Sequence, residues 1–326
     1  LNTSGVSVEG SADKNHYRIT PLGTLKPTWL TLSDLPLIES IDSLSYSKVT
    51  IFNVAGFLDF YPRFIADELK RTGTESNIVT FSLPELDTLR RNPSELRSTN
   101  IARVLDKKES INHLAKILTE NSHGSEAIIL PAIIGQRDYE TFNWLQENVD
   151  KPVLLIPTFP PSVGGIRSQQ ILQNYFSEIG GTYLLGDSAQ KSLIENNRVT
   201  KVYSYNHGDI PFTANNFVLA TGSYFSQGMI ATHEKVYEPV FGLDVSFIAE
   251  RYNWYKPDMF TNQPYQSFGV MTGEIFRGII NIREIENLYV AGAILDGFNP
   301  VKEGNGGGVS LMSARYVADC NLNNWS

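Results

Sequence analysis

The run Asn287-Leu288-Tyr289-Val290-Ala291-Gly292 is short, apolar and strand-like, and turn chemistry follows at Asp296-Gly297-Phe298-Asn299-Pro300. Then comes Gly304-Asn305-Gly306-Gly307-Gly308, running directly into Val309-Ser310-Leu311-Met312-Ser313-Ala314. A strand that feeds a glycine loop at a helix start exposes bare backbone. The first helical N–H groups, with about half a positive charge from the macrodipole, are free to face something electron-rich. The stretch therefore predicts a site for an anion or a polarised carbonyl. It is not the opening turn of a dinucleotide-binding unit. Val309 stands where the third fingerprint glycine belongs, and too little chain follows Gly308 for a helix, a strand and a ribose-binding acid. This glycine loop is expected to close a fold.

At 326 residues the chain has room for about two domains. Its 27 basic and 35 acidic residues give a net charge of −8, which argues against nucleic acid and against a polybasic membrane patch. Cys320 is the single cysteine, so an intramolecular disulfide, a Cys-x-x-Cys pair and a thiolate-bound iron–sulfur cluster within this chain are excluded. His16, His113, His123, His207 and His233 lack ligand spacing, and no metal site is assigned. No uncharged apolar run approaches the ~18 residues of a spanning helix. Hydrolase, kinase and zinc-protease motifs are absent, and no catalytic residue is assigned.

Along the chain, residues 1–45 read as β-rich, a strand meander through Tyr17-Arg18-Ile19-Thr20 and Thr28-Trp29-Leu30-Thr31. From Lys48 the period changes. A buried strand at 48–54, a helix at 62–71 with Phe64, Ile65 and Leu69 on one face, and a strand at 78–81 make a βαβ unit. Helices at 110–120 and 139–147 then alternate with strands at 127–134 and 152–156, which predicts an inserted parallel α/β domain over 46–158. Arg90, Arg91, Arg97 and Arg103 could grip a phosphate or a partner, or form a solvated mixed-charge face with Glu85, Asp87 and Glu95. In the remaining segment, 159–326, an amphipathic helix is predicted at 166–179, with Arg167 in its first turn opposing the dipole and hinting at a negative partner. Short strands follow at 182–185, 191–194 and 199–205, the last two joined by the Glu195-Asn196-Asn197-Arg198 turn. The run Asn216–Gly222 is a further strand, ending Ala-Thr-Gly. Aromatic residues from Tyr237 to Phe276 suit a pocket cover, a subunit interface or a small core.

The closing stretch Asn287–Gly308 is similar to the C-terminal motif of two-domain flavoproteins, where the helix end faces the flavin ring. Thr20-Pro21-Leu22-Gly23-Thr24-Leu25, Leu83-Pro84-Glu85-Leu86-Asp87, Asn100-Ile101-Ala102-Arg103, Pro160-Pro161-Ser162-Val163, Asn206-His207-Gly208-Asp209-Ile210-Pro211 and Glu303-Gly304-Asn305-Gly306-Gly307-Gly308 resemble, in that order, the B subunit of bacterial anaerobic glycerol-3-phosphate dehydrogenase. The resemblance covers nearly the whole chain. It implies an α/β fold of the FAD/NAD(P)-binding, two-domain flavoprotein type. It also implies flavin contacts from Thr221, Gly222, Gly292, Gly304, Asn305, Gly306, Gly307 and Gly308. The cofactor it implies is FMN, with FAD as the alternative.

The family's partners are an FAD-containing catalytic subunit and an iron–sulfur membrane-anchor subunit, and its place is the cytoplasmic face of the inner membrane, peripheral through those partners. Its role there is relaying electrons from sn-glycerol 3-phosphate oxidation towards quinones. The family begins with a strand and a Gly-x-Gly-x-x-Gly turn that this sequence, starting at Leu1, does not contain, as expected of an N-terminally truncated chain. That motivates a competing expectation, a non-redox scaffold joining the other two subunits. A stand-alone flavin oxidase is a third.

Overall fold

The computed structural model describes residues 1–40, 45–92 and 94–323. They form two compact units, Leu1–Tyr183 and Leu184–Ser326.

The first unit opens with two nested antiparallel pairs. Strand β2 (His16–Ile19) pairs with β3 (Leu25–Thr28), and β1 (Val8–Gly10) pairs with β4 (Leu30–Leu32), so the outer strands close around the inner hairpin instead of each meeting its next neighbour. The centre of the unit is a parallel four-strand sheet in the order β6 (Glu75–Phe81), β5 (Lys48–Val54), β7 (Ala127–Pro131), β8 (Val153–Ile156). Val49, Ile51, Phe52 and Val54 are buried on both faces of β5, as a central parallel strand requires. Helix α1 (Pro62–Arg71) starts on a proline that needs no N–H donor there and buries Ile65 and Leu69, one turn apart. Phe64, expected on that face, is exposed, because it lies one position outside the stripe set by Ile65 and Leu69. The short α2 (Asp87–Arg90), then α3 (Ser98–Leu105), α4 (Lys108–Asn121) and α5 (Glu140–Asn148) follow; α4 buries Ile111, Leu114, Ala115 and Leu118, the spacing of one helical face.

Two of the four arginines between these elements pair with acids. Arg97 makes two 2.9 Å bonds to Asp59, and Arg90 pairs with Asp87 at 3.2 Å. Helix α6 (Val163–Glu178) departs further from its expected amphipathic packing. Its apolar residues Leu172 and Phe176 are exposed, and its buried side chains are Val163 and Arg167. Arg167 is fully buried. Its guanidinium donates to Asp34 Oδ2 and to the Gly135 carbonyl, each at 2.6 Å, and lies 4.0 Å above the Tyr139 ring. The negative partner hinted at by its place in the helix is thus a carboxylate of the same unit.

In the second unit β9 (Ala189–Glu195) and β10 (Arg198–Ser204) form a hairpin whose tip residues, Asn196 and Asn197, have φ of 50° and 63°. Two consecutive left-handed asparagines match the right-handed twist of the strands. No strand forms at 182–185, where Leu184 and Leu185 are exposed. A three-strand sheet runs β11 (Phe217–Leu219), β17 (Arg283–Val290), β16 (Arg277–Ile280), with β11 parallel to β17. Two-residue pairs, β12 (Ile230–Ala231) with β13 (Val236–Tyr237) and β14 (Val245–Ser246) with β15 (Gly269–Val270), pin the irregular region between. There the aromatic residues divide: Phe247, Trp254 and Phe268 stack edge to face in the core, while Phe225, Tyr252 and Phe260 stand exposed. The chain closes with α7 (Pro300–Glu303) and α8 (Gly306–Asn323).

Removing the Arg167 head while Asp34 stays buried leaves an uncompensated charge. Arg167→Met should cost about 3 to 5 kcal/mol in urea unfolding, and adding Asp34→Leu should recover most of it. A single variant as stable as the parent would show that the pair does not hold this unit together.

Candidate functional site

The sheet β11-β17-β16 sets the site. Leu219 and Val290 end adjacent parallel strands in register, and the Ala291 N–H donates to the Leu219 carbonyl at 2.9 Å. Thr221, Gly222 and Gly292 therefore leave the sheet side by side at its carboxyl edge, the end where open α/β sheets receive ligands.

Gly292 has φ of 82°, which only glycine adopts freely, and this turns the chain away from β17. Its N–H donates to Ser313 Oγ at 2.9 Å, and the same hydroxyl donates to the Val309 carbonyl at 2.6 Å. The first turns of α8 are thereby fastened to the strand end. Between them, Asn299 caps α7 by accepting from Val301 and Lys302 N–H, and its own amide donates to Asn262 and Gln266. Gly304, with φ of 66°, ends α7. The structure thus inserts one short helical turn that the turn-like sequence 296–300 does not disclose.

The glycines expected to form a loop are themselves the first turn of α8. The first bond of that turn runs from the Val309 N–H to the Asn305 carbonyl, so the N–H groups of Gly306, Gly307 and Gly308 precede it and have no carbonyl acceptor. No acidic residue occupies the first turn, leaving the positive end of this 18-residue helix uncompensated by its own side chains. A Cβ built on Gly307 meets nothing within 4 Å, and that position is exposed. Asn305 donates from Nδ2 to Glu303 at 2.5 Å, but its Oδ1 is buried without a partner.

Gly222 differs. Its φ is 79°, a Cβ there would lie 2.2 Å from Ser226 Oγ, and a Cβ on Gly228 would lie 1.8 Å from the Gly222 carbonyl oxygen. The 222–228 loop closes on itself, and that closure alone requires both glycines.

Beside α8 is a cavity of about 590 Å³, bounded by Val309, Met312 and Tyr316 of that helix and by Phe276, Asp296 and Phe298. Phe276 carries a φ of 57° and stacks edge-on against Tyr316 at 5.5 Å. A bulky residue held in the left-handed region is strained by about 1 to 3 kcal/mol, and no local sequence signal marks it. Asp296 reads from sequence as turn chemistry alone. Burial pushes its carboxyl above the usual range, against the opposing pull of hydrogen bonds from its own backbone N–H and the Ser246 hydroxyl. Among the described residues no His, Cys, Asp and Glu cluster could hold a metal ion, and no helix is long and apolar enough to cross a membrane.

The raised Asp296 value has a definite sign. The folded chain binds this proton more tightly than the unfolded chain, so stability falls as pH rises from the ordinary carboxylate range through the raised value. Asp296→Asn should be more stable than the parent at pH 7 and show a flatter decline across that window in urea titrations at stepped pH. Equal curves would place the carboxylate in solvent.

The family model of the FAD binding domain matches residues 1–309. The B subunit of anaerobic glycerol-3-phosphate dehydrogenase from Yersinia enterocolitica serotype O:8 / biotype 1B is 44% identical over 319 residues, covering 98% of this chain and 75% of that protein. The B subunit from Pectobacterium atrosepticum is 41% identical, over 98% and 76%, and that from Actinobacillus succinogenes is 38% identical, over 96% and 75%. No solved structure matches. With an FAD binding domain across nearly its whole length and relatives of one name, the chain belongs to the family of anaerobic glycerol-3-phosphate dehydrogenase B subunits, which are flavoprotein oxidoreductase subunits.

Proposed function

We propose that this chain is the flavin-holding subunit of a glycerol-3-phosphate dehydrogenase complex. It relays electrons from the oxidation of sn-glycerol 3-phosphate to dihydroxyacetone phosphate towards membrane quinones. Its partners in this reading are an FAD-containing catalytic subunit and an iron–sulfur subunit, which holds it at the cytoplasmic face of the inner membrane. FAD takes precedence over FMN as the cofactor, because the matching family model is that of an FAD binding domain.

The observation that carries the reading is the start of α8, where three free N–H groups stand on a strand-anchored helix with open space at Gly307. The residues fit a flavin. The unpartnered Asn305 Oδ1 can accept a ring N–H, and the bare, exposed backbone at Gly307 lets a planar group approach. When bound, the cofactor supplies the redox chemistry; the protein supplies position and electrostatics. The N–H groups of Gly306, Gly307 and Gly308 would stabilise negative charge gathering at a ring edge. Thr221, Gly222, Gly292 and Gly304 belong to the same proposed site, the first three through their place at the carboxyl edge of β11 and β17. The division into 1–45, 46–158 and 159–326 is part of the proposal too, supported by the parallel sheet lying wholly within 48–156.

Gly307→Asp tests this. Its φ lies outside the left-handed region and a Cβ has room, so the fold should tolerate the change, and an acid in a first helical turn is mildly stabilising. Flavin absorbance of the purified subunit should vanish while its thermal unfolding stays within a few degrees of the parent. In the reassembled complex, dye reduction at the catalytic subunit should persist and quinone reduction should fall. Normal quinone reduction by a flavin-free subunit would instead establish the scaffold reading.

A further inference from the structure

A second cavity in the same unit, of about 460 Å³, has a different chemistry. Its walls include the side chains of Tyr224, Phe225, Trp254, Tyr255 and Tyr265, together with the Arg251 guanidinium. That volume lies within the range of small-molecule sites. Arg251 is stacked on the Trp254 ring, 4.1 Å from its centroid, and no carboxylate among the described residues pairs with it. The Tyr224 hydroxyl is buried with no hydrogen-bond partner, and burial pushes its phenol up to about 12, so it stays a donor at any physiological pH.

Each feature has a structural use by itself. Trp254 belongs to the core, where it packs against Phe247 and Phe268 and donates its indole N–H to the Ile248 carbonyl at 2.5 Å. That accounts for one face of the wall. Core packing does not account for aromatic rings left open around a cavity, nor for the exposed Arg251 guanidinium that lines it while stacked on one of them.

We propose that this cavity binds a planar aromatic ring carrying an anionic group, the ring stacked among Tyr224, Trp254, Tyr255 and Tyr265 and the anion paired with Arg251. Aromatic walls select a flat ring by edge and face contacts, whereas a planar guanidinium already stacked on Trp254 is pre-organised for a carboxylate or phosphate. The inference is independent of the flavin placement at α8. Two sources share this ligand chemistry, a flavin nucleotide and a diffusible aromatic acid or phosphate.

Calorimetric titration of the flavin-loaded subunit with phenyl phosphate tests the proposal, with inorganic phosphate and phenol as half-ligands. Phenyl phosphate should bind, and each half-ligand should bind at least about tenfold more weakly. Arg251→Gln should weaken phenyl phosphate about tenfold or more with unfolding unchanged, and Arg251→Lys should fall between. Tyr265→Leu, which removes a ring from the wall, should weaken phenyl phosphate and phenol alike. Binding that persists with the flavin bound identifies a diffusible aromatic anion, whereas binding seen only after flavin removal, and displaced by FMN, identifies the nucleotide. Absence of binding in both states, inorganic phosphate equal to phenyl phosphate, or an indifferent Arg251→Gln would overturn it. Gly307→Asp should leave phenyl phosphate affinity unchanged in the flavin-free protein, so failure of the α8 site and failure of this one are distinguishable.

Discussion

A buried carboxamide underlies the candidate site. Asn287 sits near the middle of β17, almost wholly enclosed, with Oδ1 accepting the Val199 N–H at 2.8 Å and Nδ2 donating to the carbonyls of Val199 and Asn215 at 2.9 and 3.1 Å. One side chain therefore imitates a strand edge for β10 and also fixes the approach to β11. A buried amide with unmet partners costs about 1 to 3 kcal/mol per group, so these three bonds strongly favour one placement of the strands. Everything at the carboxyl edge inherits that placement. Leu219 and Val290 end together because the register is set upstream of them.

From that edge the path to α8 runs through a single hydroxyl. Ser313 accepts from the Gly292 N–H and donates to a carbonyl one turn earlier in its own helix, so the strand end and helix start become one rigid piece. The consequence is electrostatic. A helix start that could fray is held in place with its first N–H groups unspent and no acid of its own in the first turn.

The same unit meets a negative group in another way at Glu238. Its buried carboxylate accepts the N–H groups of Val240, Phe241 and Gly242 at 2.8 to 2.9 Å, filling with a side chain the kind of backbone nest that α8 leaves open. Two cradles of similar donors thus have opposite fates. One is satisfied internally and folds a loop; the other leaves its donors without a carbonyl acceptor.

Much of this was legible in local sequence, because strand periodicity, proline at the first turn of α1, the paired asparagines at 196–197 and the glycine run that opens α8 act over a few residues. The flavoprotein class followed from such stretches in order. Tertiary structure decided the rest. Burial of Arg167 against Asp34 joins positions more than a hundred residues apart, and exposure of Leu172 and Phe176 depends on what packs against α6, not on their spacing. The left-handed Phe276 and the raised carboxyl of Asp296 arise from neighbours brought in by the fold. Periodicity records which residues prefer to be buried. The partner each one meets, and the polar group left unmet, are set by long-range packing.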